Sequence, residues 1–212
     1  MAELRKESEL TEKEKIRLKK FKETQAKLES DGYESHYLTE TAEKANVMAM
    51  VTTLPFIIPI IVLFFLVGNR FETLDDGFLG MFLFLLAMFV SIVIHELIHG
   101  VTYAIFAKNH FKDIEFGVVW KAVTPYCTCS APLKRYQYVL ALIMPGLLLG
   151  IIPSIVAIIN GSVALLGYGI VMVIGAGGDL LVLYLMMKNR SKKKNILYHD
   201  HPTDVGVVMF DK

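Results

Sequence analysis

The chain has 212 residues, 54% hydrophobic and only 20% charged, with a mean hydropathy of +0.47 and a formal net charge of +1. A soluble domain is about 45–50% apolar and about 25% charged, and here nearly all the apolar surplus lies between Val47 and Met187 in uninterrupted runs, which marks an integral membrane protein in contact with a lipid bilayer. The charge balance carries no nucleic-acid footprint, and two cysteines one residue apart (Cys127, Cys129) make no disulfide framework, so a polyanion binder, a disordered chain and a disulfide-rich secreted scaffold are excluded.

Met1 to about Ser30 alternates acids and bases, lacks Pro and Gly, and spaces Leu10, Leu18, Phe21 and Leu28 loosely along one side. It reads as a solvated, mainly polar cytosolic helix, compatible with a place along the membrane surface. No apolar core with a small-residue cleavage site follows, so it does not read as a signal peptide. Val47 to Val67 is 21 residues without a formal charge, long enough for the ~30 Å hydrocarbon core, and Pro55 and Pro59 should bend it. A polar turn is expected at 68–77. Phe78 to Ala107 is the second run, interrupted only by His95, Glu96 and His99; at about 30 residues it tilts or emerges into the cytosol.

Ile114 to Ser130, rich in Val, Thr, Phe and Tyr, resembles short strands. Tyr138 to Ile159 is the third run, containing Pro145, Gly146, Gly150 and Pro153. Val163 to Met187 is the fourth, Gly-rich and carrying one acid, Asp179. Lys and Arg concentrate in 108–136 and 188–194, whereas 68–77 has Arg70 alone and 160–162 has no basic residue. The positive-inside bias then places both termini in the cytosol, with the cysteines as free thiols on the reducing side. The expected fold is an all-α membrane protein of four transmembrane helices, with a β-hairpin-like segment between the second and third and an N-terminal cytosolic helix.

Chemistry concentrates in Ile94-His95-Glu96-Leu97-Ile98-His99-Gly100. On a helix, residues i and i+4 share a face, so His95 and His99 can reach one Zn²⁺ while Glu96 sits on the flank as the base for a zinc-activated water. Ionisable groups in an apolar span are costly, by about 2.5–3.5 kcal/mol per charge at the centre, and a shared metal offsets that cost. A third ligand is expected, and Asp179 is the only other acid in the spans. His99 lies nine residues before Lys108 and Asp179 nine before Lys188, which puts both at ~14 Å from the cytosolic edge. Gly175, Gly177 and Gly178 would let the fourth helix approach closely. Cys127 and Cys129 read as packing residues and His199 and His201 as part of a solvated tail; Tyr126 and His110 are candidate transition-state donors.

These features resemble intramembrane zinc metalloproteases of the site-2-protease type. More closely, His95–Gly100, the Thr124-Pro125-Tyr126-Cys127 region, Pro145-Gly146, Gly177-Gly178-Asp179 and Asp200-His201-Pro202 resemble a family of small bacterial membrane proteins called "putative zincin peptidase". The resemblance covers roughly residues 45–210. It implies zinc on His95, His99 and Asp179, Glu96 as the base, and a membrane-protein or peptide substrate. Site-2 proteases usually carry Asp-Gly at the third ligand, whereas this chain has Gly-Gly-Asp. The expected organisation is a polar helical segment at 1–45, a metalloprotease-like core at 46–190 and a cytosolic tail at 191–212. The competing expectation is a non-proteolytic metal-binding scaffold or ion pathway. A free strand edge in 114–130 could hold a substrate extended, against the plainer reading of a connecting hairpin.

Overall fold

The computed structural model describes residues 10–67, 77–119 and 124–212. Most of the turn expected at 68–77, Arg70 included, and Lys121 therefore lie outside the described residues. In chain order the elements are α1 (Glu12–Ser30), β1 (Glu34–Thr39), α2 (Ala42–Val67), α3 (Gly77–Phe106), β2 (Ile114–Val119), β3 (Thr124–Cys129), β4 (Leu133–Lys134), α4 (Arg135–Pro145), α5 (Ile152–Asn160), α6 (Val163–Gly175), α7 (Gly177–Lys188), β5 (Ile196–Asp200) and β6 (Gly206–Asp211). A π-helical stretch, Gly146–Ile151, joins α4 to α5.

Among the described residues, three helices are long and apolar enough to cross a membrane: Glu43–Val67, Gly77–Phe106 and Arg135–Asn160. A fourth crossing is available if α6 and α7, bent by 48° at their junction, count as one. Gly175 and Gly177 flank the bend, and glycine is a weak helix former. A Cβ on Gly177 would stand 2.9 Å from the Ala49 carbonyl oxygen of α2, so only glycine lets the two backbones meet there. Pro55 and Pro59 remain inside α2. On α3 the two faces differ sharply: Val93, Leu97 and Val101 are about half exposed, while His95, His99 and Thr102 are buried.

The all-α expectation needs correction. Besides the hairpin, in which β2 and β3 pair antiparallel from Ile114↔Cys129 to Val119↔Thr124, the chain builds a four-stranded antiparallel sheet of order β1-β6-β5-β4. Its strands come from both ends of the chain and from the lead-in to α4. β6 is buried on both faces. Val208 and Phe210 pack with Phe21 and Leu28 of α1, while Val207 and Met209 join the core of Tyr138, Leu181 and Leu185. The sheet thus lies between α1 and the ends of the helices.

Two expectations change as a result. α1 is not wholly solvated; it is capped by a reciprocal pair in which the Glu14 amide donates to Thr11 Oγ1 and the Thr11 amide to Glu14 Oε2, and it buries Phe21 and Leu28 against the sheet. The segment after Lys194 is not a solvated tail, since His199 and His201 are buried with β5 and β6 around them.

Candidate metal centre

His95 and His99 stand one turn apart on the buried face of α3, and Asp179 stands in the first turn of α7. His95 Nε2 is 3.2 Å from Asp179 Oδ2, His99 Nε2 is 3.2 Å from Asp179 Oδ1, and the two Nε2 atoms are 3.2 Å apart. The three residues that the sequence spacing grouped thus lie together. Ligands bound at ~2.0–2.1 Å around a tetrahedral zinc lie ~3.3 Å from one another, so the spacing and the N,N,O donor set fit that ion.

The orientation of His99 has a traceable cause. In an α-helix the Ala141 carbonyl would accept from the amide of residue 145, but Pro145 has no N–H. His99 Nδ1 fills the vacancy at 2.9 Å. A carbonyl can only accept, so Nδ1 carries the proton and, in the neutral ring, Nε2 turns its lone pair toward Asp179. The ring also stacks on Tyr103 at 6.1 Å between centroids.

These groups line a cavity of about 350 Å³. Helices supply one wall: His95, Glu96, His99 and Tyr103 from α3, Tyr138 from α4, and Gly178 and Asp179 from α7. The opposite wall is β structure, Pro125 to Thr128 of β3 and the β5–β6 loop from Asp200 to Gly206. Glu96 is half-buried on the flank, where the Cys127 amide is directed at its carboxylate. The β2–β3 hairpin can lie this close to α3 because α3 has glycine after its second histidine. A Cβ on Gly100 would come within 2.2 Å of the Phe116 ring.

Among the described residues only β2 pairs with β3. Pro125 cannot donate, so Val118↔Pro125 is a non-hydrogen-bonded pair, and by alternation the backbones of Cys127 and Cys129 point away from β2. The Cys129 amide donates to Asp200 Oδ2 at 2.8 Å, which leaves the Cys127 amide and the Pro125 carbonyl on the outer edge beside Glu96. Asp200 also accepts from the Tyr138 hydroxyl. Burial raises the Asp200 carboxyl above its usual range, against the opposing pull of these two donors. The same effect raises the Cys127 thiol and pushes Cys129 up to about 12, so both thiols stay protonated at neutral pH and act as packing groups.

Of the candidate donors, Tyr126 lines the cavity, with Arg17 over its ring at 4.8 Å. His110 does not; its Nδ1 turns back to the Ala104 carbonyl at 2.9 Å. Sequence reasoning did not single out Tyr103, Tyr138, Asp200 or Asp204. Asp200 and His201 entered only through the Asp-His-Pro string. A second acidic grouping, Glu34, His36 and Asp211, lies at the sheet edge. There the Lys193 ammonium, 2.7 Å from Glu34 and 2.9 Å from Asp211, already supplies the positive charge.

Residues 88–193 match the protein family described as "Putative zincin peptidase", and the chain belongs to that family. The match contains His95, Glu96, His99 and Asp179. No curated protein and no solved structure matches the chain.

Proposed function

We propose that the protein is a membrane-embedded zinc metalloprotease that cleaves peptide bonds of membrane-protein or peptide substrates, with the cavity opening to the cytosol and both termini on that side. The observation that carries the reading is the meeting of two imidazoles and one carboxylate from two helices, with a fourth ionisable residue, Glu96, on the flank. His95, His99 and Asp179 are the proposed zinc ligands. Bound zinc supplies Lewis-acid polarisation of the scissile carbonyl and acidifies a water.

The chain's own residues do the rest. Glu96 accepts a proton at its carboxylate from the attacking water and returns it to the leaving amide nitrogen. A helical substrate segment must first be unwound, because its carbonyls are hydrogen-bonded. The outer edge of β3, where the Pro125 carbonyl stands, offers a place for an extended segment to add as a further strand. Pro145, through the Ala141 carbonyl, holds His99 with its free nitrogen turned inward.

The deciding experiment pairs metal content with cleavage in purified Glu96→Gln. The expected result is about one zinc per chain with hydrolysis lowered by about 10²–10⁴-fold. Undiminished cleavage would overturn the role of Glu96. Cation flux through liposomes without any hydrolysis by the wild type would instead favour an ion pathway.

A further inference from the structure

A second cavity, of about 840 Å³, opens on another flank of α7. Leu180, Leu183, Tyr184 and Met187 recur at helical spacing along its wall, whereas Asp179 and Val182 face the metal cavity. α2 contributes Pro55 and Phe56, and α4 contributes Val139 and Ile143. The groove is mostly apolar, with Thr52 turning its hydroxyl to the Ala49 carbonyl, and its charged groups are Arg135 and Arg190.

Arg135 is the first residue of α4, and Arg190 follows the end of α7 by two residues. Both line the same groove, one from the start of α4 and the other from just beyond the end of α7. Among the described residues neither has a carboxylate within 4.0 Å. Lys188, over the Tyr184 ring at 5.9 Å, adds a third cation at that end. From Arg135 to Ile143 the apolar wall runs ~12 Å along the helix.

We propose that this groove binds an anionic phospholipid, its phosphate held by Arg135 and Arg190 and one acyl chain laid between α2, α4 and α7. Arginine forks match phosphate oxygens in pairs, and basic pockets between membrane helices on the cytoplasmic side suit lipid headgroups. A transmembrane substrate helix would fill the apolar part but bring no obligatory anion to the two guanidinium groups. The proposal rests on the membrane-embedded reading and is independent of the metal.

Native mass spectrometry of the full chain, released from micelles holding equal amounts of phosphatidylglycerol and phosphatidylcholine, tests it. Phosphatidylglycerol should be retained selectively, and retention should fall at least about tenfold in the double variant Arg135→Gln/Arg190→Gln. Val139→Trp, which fills the groove and keeps both arginines, should lower it as well. Lys192→Gln/Lys194→Gln should leave it unchanged, and millimolar inorganic phosphate should not displace the lipid. Each variant should keep the zinc content of the wild type. Equal retention by the arginine variant, an equal loss in the lysine variant, or displacement by free phosphate would overturn the lipid site alone. Release of the chain from membranes by alkaline carbonate would overturn the membrane-embedded reading and this site with it.

Discussion

The two walls of the metal cavity are built on opposite principles. The helical wall presents side chains at fixed spacing from buried faces: His95 and His99 one turn apart, with Asp179 brought level by the break before Gly177. The β wall presents backbone and loops, the outer edge of β3 and the Asp200–Gly206 turn, held in place by contacts with α1 and the sheet. A rigid helix suits ligands that must be placed to a few tenths of an ångström, and an unpaired strand edge suits a chain that must be held extended. The difference teaches that, in the proposed function, metal binding and substrate handling would reside on separate elements, so mutations should separate them.

The largest effect is expected on the helical wall. His95→Ala and His99→Ala should each reduce zinc affinity by orders of magnitude, read as metal content after dialysis, because two of three ligands cannot hold a catalytic site. If either variant kept full zinc content, the division between the walls would fail at its base.

On the β wall, Gly100→Ala should keep zinc while lowering cleavage on the order of a hundredfold, since the new Cβ would meet the Phe116 ring of β2 and push on the hairpin that carries β3. Equal losses of metal and activity would show that the walls are coupled. Pro145→Ala sharpens the comparison from the other side. It restores an amide that competes with His99 for the Ala141 carbonyl, and zinc affinity should fall about tenfold, with a change in the ¹⁵N shift of the His99 ring. An unaltered ring shift would remove Pro145 from the account.

The smallest effect lies farthest from the metal. Burial would raise the Asp211 carboxyl, but hydrogen bonds from Ser191, Lys193 and His36 outweigh it and hold the group below its usual value. Such a group stabilises the fold above the ordinary carboxylate range, and that contribution is lost as pH falls through the depressed value. Thermal melts in that acidic window should decline less steeply for Asp211→Asn, with zinc content at neutral pH unchanged.

The sequence was most legible where spacing alone determines geometry. The i, i+4 histidines and the equal nine-residue distances of His99 and Asp179 from the nearest basic residue located three residues that meet within 3.2 Å. The hairpin was also readable, from its β-branched and aromatic run. The four-stranded sheet was not, because β1 (Glu-Ser-His-Tyr-Leu-Thr) and β6 pair across nearly the whole chain, and six residues carry no local sign of so distant a partner. For the same reason His199 and His201 read as solvated. The apolar run Val207–Phe210 was the available clue. Pro145 was visible as a helix interruption, but its link to His99 required knowing which ring faces the carbonyl it frees. The Gly-rich fourth run read as a close helix contact, which Gly177 makes, yet the 48° bend depends on what α2 places opposite it.

Zinc K-edge absorption on the purified full chain bears most directly on the central claim. It should show one zinc with two imidazole nitrogens and carboxylate oxygen at ~2.0–2.2 Å, the imidazole scattering halving in either histidine variant that retains residual metal and the oxygen shell changing in Asp179→Ala. A spectrum without imidazole ligands, or one identical in wild type and the His95→Ala/His99→Ala double variant, would contradict it.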